Sequence, residues 1–315
     1  MHNLSIDVLK NNITSILSAN SISLIQKGYS SDKKYLVSFA DGQRNLLRIG
    51  KIESYERKSA EIKVLQQAKR FDVQCPEPIE IGKFKELGLC YYIVSYIEGE
   101  EAREYLPLFT EDDQKKIGVS AGKDLARIHR IPAPNHMNSW YERAMSKHYR
   151  YTEAYKTCGI KLSNDEKILA YIEENKHLLK SRPNQLQHDD FGPSNLIIKD
   201  KKYSGVIDFN NFDWGDPYHD FVKIALFTTE ISIPFSIGQL NGYFNGKIPE
   251  DFWKLYSVYV AMVLFSSIIW SQRFAPGQLE EMKTRLERII EEHHNFELQK
   301  PTWFTQENDE TENVL

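Results

Sequence analysis

The chain has 315 residues, 41% hydrophobic and 27% charged, with 40 basic and 44 acidic side chains and a formal net charge of −4. That length is enough for a two-lobed domain with a substantial core, and the composition is ordinary for a soluble globular protein. The slightly acidic balance argues against a general polyanion binder, so no nucleic-acid partner is expected.

The predicted elements begin with a helix that leads into a sheet. Residues 35–39 and 45–49 are β-favouring runs on either side of Ala40-Asp41-Gly42-Gln43, whose Asp-Gly supplies a hairpin turn. Residues 56–69 carry Ala60, Val64 and Ala68 at a helical period, broadened by Ile62 and Leu65. Cys75-Pro76-Glu77-Pro78 ends that helix, Ile79 to Ile81 starts a strand, and residues 90–97 form a strong strand closed by Glu98-Gly99. From Thr110 the pattern turns helical. Residues 110–130 form the clearest helix, with Thr110 as N-cap and Asp113 placed as the acidic partner of a capping box. Another helix covers 162–180, two short strands enclose a polar loop within 184–209, and helices follow over 217–229, 251–270 and 278–294.

These elements give an α+β, bilobal expectation: an antiparallel sheet lobe with one helix over residues 1–98, and a larger, mainly helical lobe over 99–304. Residues 305–315 are polar, acidic and aperiodic, and are expected to be a disordered tail. No internal repeat is visible. The apolar run 256–270 falls short of the roughly 18 to 20 clean residues of a membrane span and reads as a buried core helix. Cys75, Cys90 and Cys158 lack any C-x-x-C spacing and read as reduced thiols, and residues 1–7 lack a secretory pattern, so a cytoplasmic location is expected.

The chemistry is concentrated in His188-Asp189-Asp190-Phe191-Gly192-Pro193-Ser194-Asn195, followed by Ile207-Asp208-Phe209. The string has the form His-x-Asp-x4-Asn leading to Asp-Phe, the order of groups used for phosphoryl transfer. That reaction needs a carboxylate beside the acceptor hydroxyl and oxygen ligands that hold Mg2+ against phosphates. Asp190 fits the first role because it alone stands five positions before Asn195, and Asn195 and Asp208 fit the second. Taken singly, each of these residues could equally belong to a polar turn. The ordered set is what carries the reading.

The chain thus resembles the aminoglycoside phosphotransferase family, which shares the fold of protein kinases and choline kinases. The resemblance rests on His188-Asp189-Asp190 with Asn195, Ile207-Asp208-Phe209, Gly215-Asp216-Pro217 and Asp220, and it departs from the family at Asp189, which replaces the usual glycine. It implies a nucleotide-dependent kinase that uses ATP or GTP and Mg2+. A phosphate-covering turn falls at Gly28 and Ser30. Arg48 stands where a strand lysine is usual, with Glu61 as its helix partner, although a surface cation on a strand is the alternative for Arg48. The backbone of Ser95 and Ile97 would meet an adenine edge. His129 reads as a packing residue. Asp216 reads as a helix cap, with Pro217 in its first turn. Asp213 and Asp220 stay open between substrate contact and structure.

The acceptor is the least legible part. An aminoglycoside-type, cationic acceptor would draw on acids near Trp270, such as Glu280, Glu281, Glu291 and Glu292, which on a helix face could equally be solvated charges. A housekeeping metabolite such as choline, homoserine or methylthioribose is the alternative on the same fold. A non-catalytic nucleotide-binding regulator is a third reading. A macrolide acceptor is disfavoured, because macrolide kinases of this resemblance tend to place histidine where Asn195 stands.

Overall fold

A computed structural model describes residues 5–26 and 32–304. Helix α1 (Ile6–Asn12) leads into a five-stranded antiparallel sheet of β1 (Ser21–Ile25), β2 (Lys33–Ser38), β3 (Arg44–Lys51), β4 (Pro78–Phe84) and β5 (Leu89–Ser95), in the order β1-β2-β3-β5-β4. Helix α2 (Tyr55–Arg70) connects β3 to β4. The expected hairpin forms: Gly42 has φ +86°, which glycine adopts without a Cβ penalty, and Gln43 N–H donates to Asp41 Oδ1 at 2.9 Å.

The alternation of strand side chains decides which residues reach the cleft. Tyr35, Val37, Leu47, Ile49, Tyr91 and Ile93 enter one core together with Leu9, Ile13 and Ile16 from the N-terminal segment. The residues between them turn to the opposite face, where Tyr92 and Val94 join the larger core and Arg48 lies opposite Lys34 on one side and Tyr92 on the other. A single register therefore buries one row of apolar side chains and places Lys34, Arg48 and Tyr92 side by side.

Short β6 (Glu100–Glu101) and α3 (Ala102–Tyr105) follow the sheet, then α4 (Glu111–Ile128), α5 (Trp140–Thr157) and α6 (Asp165–Asn175). Thr110 caps α4 as expected, its hydroxyl accepting from Asp113 N–H at 3.2 Å. The Asp113 carboxylate does not close a capping box and instead meets Lys201 at 3.1 Å. The helix expected over 162–180 is α6 plus a separate 3-10 turn, Lys176–Leu179. Strand β7 (Gln185–Gln187) pairs with β10 (Asp213–Gly215), while β8 (Leu196–Lys199) pairs with β6 and β9 (Lys202–Val206). Where a helix was expected over 217–229, Pro217–Phe221 is 3-10 and Ile224–Thr228 is π-helical, leading into short α7 (Thr229–Ile231). Next come α8 (Ile233–Phe244), α9 (Glu250–Phe274) and α10 (Leu279–Glu292). Helix α9 is the one described helix long and apolar enough to cross a membrane, and 78% of its most apolar stretch is buried within the protein.

The closest packing in the helical part joins α4 and α8. Gly118 and Gly122 on α4 face Gly238 and Gly242 on α8, four residues apart in each helix. A Cβ at Gly122 would stand 2.0 Å from Gln239 O, and one at Gly242 would stand 2.0 Å from Val119 O. Neither carbonyl can yield without unwinding its helix, so the two backbones touch only because all four positions lack a side chain. Gly122→Ala should lower stability by about 1 to 3 kcal/mol, since the clash exceeds the gain of roughly 1 kcal/mol in helix propensity. Gly277→Ala, where a Cβ would meet nothing within 4 Å, should stay within about 0.5 kcal/mol. Urea midpoints of the two variants check the contrast.

Candidate active site

The polar loop between β7 and β8 is held from below by one buried carboxylate. Asp220 accepts the backbone N–H of His188 on Oδ2 and that of Asp189 on Oδ1, both at 2.8 Å, and its Oδ2 lies 3.0 Å from His129 Nε2. His129 Nδ1 in turn lies 2.9 Å from the Tyr243 hydroxyl. Burial would raise the Asp220 pKa, but the hydrogen bond and charge of His129 and the bonds from the loop hold it below 3.8. Asp220, open in the sequence, thus has a loop-holding role, and His129 is the packing and hydrogen-bonding residue expected.

His188 is fully buried, with its ring edge-on to Phe191 and Phe209. Its Nε2 lies 3.1 Å from Ile207 O, and its Nδ1 accepts Asp190 N–H at 3.3 Å. Those partners select the Nε2–H tautomer, and burial lowers the pKa, so the ring is a neutral brace. Asp189 has φ +57° and Asp208 has φ +66°. The family's glycine at the first position is thereby explained by backbone conformation, and aspartate is among the few other residues that tolerate it.

The structure brings Asp190, Asn195 and Asp208 together. Asn195 Nδ2 donates to Asp190 Oδ2 at 2.8 Å and to Asp190 O at 2.9 Å, while Ile207 N–H donates to Asn195 O at 2.9 Å. The second Asp190 oxygen, Oδ1, meets Lys223 Nζ at 3.3 Å, a cation that no sequence pattern marks. With its amide nitrogen fixed on Asp190, Asn195 presents Oδ1, and Asp208 keeps Oδ2 after its Oδ1 accepts Arg48 Nη1 at 2.9 Å. Two hard oxygen donors of this kind fit Mg2+ rather than a softer metal. Among the described residues no cluster of three or more His, Cys, Asp or Glu could hold a metal by itself.

Arg48 is buried at 5% exposure on the cleft face of β3, which rules out the surface-cation alternative. Its expected partner Glu61 is 3.9 Å away and is engaged more closely by the Tyr92 hydroxyl at 2.9 Å, so Asp208 is the nearer carboxylate. Burial would lower the Arg48 pKa, and Tyr92, Asp208 and Glu61 raise it; burial raises that of Glu61. Lys58, almost wholly buried on α2, pairs with Asp32, which also lies 3.7 Å from Arg48 Nε. Lys34 stands across the ladder from Arg48, its pKa lowered by burial and by that neighbouring charge. Three cations on one wall suit a polyphosphate. Gly28 and Ser30 lie outside the described residues. Ser95 N–H is engaged by Glu77 O at 2.8 Å, so its carbonyl is the Ser95 backbone group left for the expected contact, whereas Ile97 N–H has no backbone partner among the described residues.

On the other side of the loop, Asp216 is fully buried and holds Arg182 through two contacts, at 2.6 and 2.8 Å, along with the Tyr259 hydroxyl at 2.6 Å and Tyr218 N–H at 3.1 Å. It joins α9 to the 3-10 segment and caps that segment. Asp213 pairs with Arg143 at 3.0 Å. Glu281 and Glu292 pair with Arg285 and Arg288 at 3.0 and 2.6 Å, and both arginines also reach Glu230. Trp270 is half exposed beside Phe274 near the end of α9.

Residues 21–254 match the model of a phosphotransferase enzyme family. The comparison with curated proteins gave no match. Among solved structures, the chain is similar to the streptomycin–ATP ternary complex of APH(2″)-IIa, with 18% identity, 91% of this chain and 97% of that chain covered, and a TM-score of 0.66. It is also similar to a thermostable mutant of aminoglycoside phosphotransferase APH(4)-Ia in its ternary complex with ADP and hygromycin B, with 16% identity, 90% and 98% coverage, and a TM-score of 0.66. The GDP complex of aminoglycoside 2′-phosphotransferase-IIIa gives 15% identity, 88% and 94% coverage, and 0.62. At these identities the likeness establishes the kinase-like fold.

Because the folded Asp220 pKa is depressed, its stabilisation is present above the ordinary value of 3.8 and is lost as pH falls through the folded value. Asp220→Asn should cost about 3 to 5 kcal/mol at neutral pH by leaving loop and histidine groups unpaired. The difference from the unsubstituted chain should shrink below about pH 4, where the native carboxylate also protonates. Denaturant unfolding across pH 2 to 7 measures both, and a pH-independent difference would contradict the assignment.

Proposed function

Because the chain belongs to the phosphotransferase enzyme family, we propose that it moves the γ-phosphoryl group of ATP or GTP onto a hydroxyl of a small molecule, with Asp190 as the base. The observation that carries the reading is the Asp190 carboxylate, fixed through Oδ2 by Asn195 and facing the same loop as Asp208. The acceptor oxygen forms a bond to the γ-phosphorus and passes its proton to Asp190. The bond from that phosphorus to the β-bridging oxygen breaks, and a nucleoside diphosphate leaves. Asn195 orients the base, and Asn195 Oδ1 and Asp208 would hold Mg2+. When bound, that ion neutralises charge on the phosphate oxygens. Arg48, Lys34 and Lys58 supply the wall facing the phosphates, and the Ile97 amide is the backbone donor left for the base.

An aminoglycoside-type acceptor is supported by the antibiotics in the similar structures. The second reading, a housekeeping metabolite, is favoured by a specific feature: of the four expected acids, Glu281 and Glu292 are held by Arg285 and Arg288, as is the nearby Glu230, and so are poorly placed to receive the ammonium groups of a polycation, while Glu280 and Glu291 stay exposed.

Asp190→Asn keeps the shape of the base and removes its charge. It should lower kcat for nucleotide-dependent transfer by about a hundredfold to ten-thousandfold while nucleotide binding persists. Diphosphate release and nucleotide titration read the two quantities separately, and unchanged turnover would refute Asp190 as base.

A further inference from the structure

The segment that holds the catalytic loop also delivers a cation to its base. Asp220 and Lys223 are three residues apart on one turn of the 3-10 to π-helical stretch, so they project from the same face. Asp220 fixes the amides of His188 and Asp189, and Lys223 Nζ stands 3.3 Å from Asp190 Oδ1, with the Phe227 ring 5.7 Å away. The Lys223 side chain is only 19% exposed. Burial would lower its pKa, but Asp190, Asp189 and Asp220 more than reverse that, so it carries a full charge.

Lys223 matters for the acceptor because of how the Asp190 oxygens are shared. Oδ2 is taken by Asn195, which leaves Oδ1 as the oxygen that receives the acceptor proton, and Oδ1 is the one touching Lys223. A hydroxyl within ordinary hydrogen-bond reach of Oδ1, about 2.8 Å, therefore lies within about 6 Å of a fixed ammonium. Two of the carboxylates that could offset that ammonium already have partners of their own, and a third, Asp189, shares Lys223 with Asp190. Asp213 is paired with Arg143, and Asp220 is bound to His129 and the loop. Asp189, 3.7 Å from His219, is pushed up to about 6 by burial and feels both Lys223 and Lys147. His219 is pushed down to about 4 by burial, with Lys147 and Lys223 adding to the effect, so it stays neutral and leaves Lys223 and Lys147 as the cations acting on Asp189. Arg143, Lys147 and Lys223 thus stand with Asp213 and Asp189 beside the base.

We propose that Lys223 positions Asp190 and sets acceptor charge, so that the enzyme phosphorylates a hydroxyl flanked by neutral or anionic groups, such as a polyol, sugar acid or sugar phosphate, and discriminates against one flanked by an amine. The inference rests on Asp190 being the base, as proposed above. It selects the metabolite reading over the polycationic antibiotic. Like charges a few ångströms apart in a partly desolvated cleft repel by an amount equivalent to about tenfold in rate or more.

The test uses the full chain with Mg-ATP and hydroxyl compounds in matched sets of neutral sugar, amino sugar, and sugar acid or sugar phosphate, together with gentamicin and streptomycin. The expected result is kcat/KM for the neutral or anionic member about tenfold or more above that of the amino member. Lys223→Met should bring that ratio toward one and Lys223→Arg should keep it, a pattern that simple loss of folding would not produce. A preference for gentamicin, streptomycin or amino sugars, or the same ratio in Lys223→Met, overturns the proposal. Transfer to no acceptor with intact, Asp190-dependent ATP hydrolysis also overturns it and leaves the kinase reading standing. Hydrolysis that is equal in Asp190→Asn would instead sink the kinase reading.

Discussion

The site depends on a carboxylate with no access to water. Asp220 is 1% exposed, and a buried charge of that kind is tolerated only when its lone pairs are filled. It is filled by two successive amides of the loop between β7 and β8 and by His129 at the end of α4, which is itself braced by Tyr243 of α8. The positions of both helices therefore enter the geometry of the loop. The four facing glycines that bring α4 and α8 into backbone contact are part of the same device, because a wider separation would move His129 away from Tyr243. A packing constraint in the helical part thus becomes a positional constraint on Asp190, through one carboxylate and two amides.

Local strain sits where that constraint acts. Asp189 and Asp208 both adopt left-handed backbone, a conformation unfavourable by about 1 kcal/mol or more for residues with a Cβ. Asp189 is kept there by the bond from its own amide to Asp220. Asp208 is kept there by neighbours: Ile207 is bonded through N–H to Asn195 O and through its carbonyl to His188. The departure from the family's glycine at Asp189 costs little in shape. What it adds is a carboxylate between His219 and Lys223, next to Asp190.

The parts of this site that lie close together along the chain were legible in the sequence. His188, Asp190, Asn195 and Asp208 lie within a short stretch, and their spacing is set by a strand, a loop and a hairpin whose lengths the chain itself displays. Arg48 and Glu61 were legible as residues of a strand and the following helix, but not their pairing, because Asp208 arrives from 160 residues away and lies nearer to Arg48 than Glu61 does. Lys223 and the role of Asp220 were hidden for the same reason. Helix α5 escaped notice because its buried face is Trp140, Ala144, Met145, His148, Thr152 and Tyr155, a helical spacing carried by chemically mixed residues. The 3-10 and π-helical stretch resembles an ordinary helix in composition, and its departures coincide with side-chain bonds to its backbone, from Asp216 at its start and from Thr228, Thr229 and Arg288 along the π-helical part.

The charges on the two sides of Asp190 are balanced in different ways, and the difference bears on how substrates enter. On the β3 side Arg48 is shared among Asp208, Glu61 and Asp32, so in the proposed reaction an incoming phosphate chain with Mg2+ would exchange partners with them, arginine to phosphate and Asp208 to metal, without leaving any buried charge unmatched. On the acceptor side no such exchange is open to Lys223: moving it would unpair Asp190, the group the proposed reaction requires ready. In the proposed reaction a nucleotide would therefore remodel its wall on binding, whereas an acceptor would have to fit a fixed one. Under the proposal, discrimination among acceptors would follow from a charge set in place by the same helical turn that shapes the loop, rather than from adaptable surface acids.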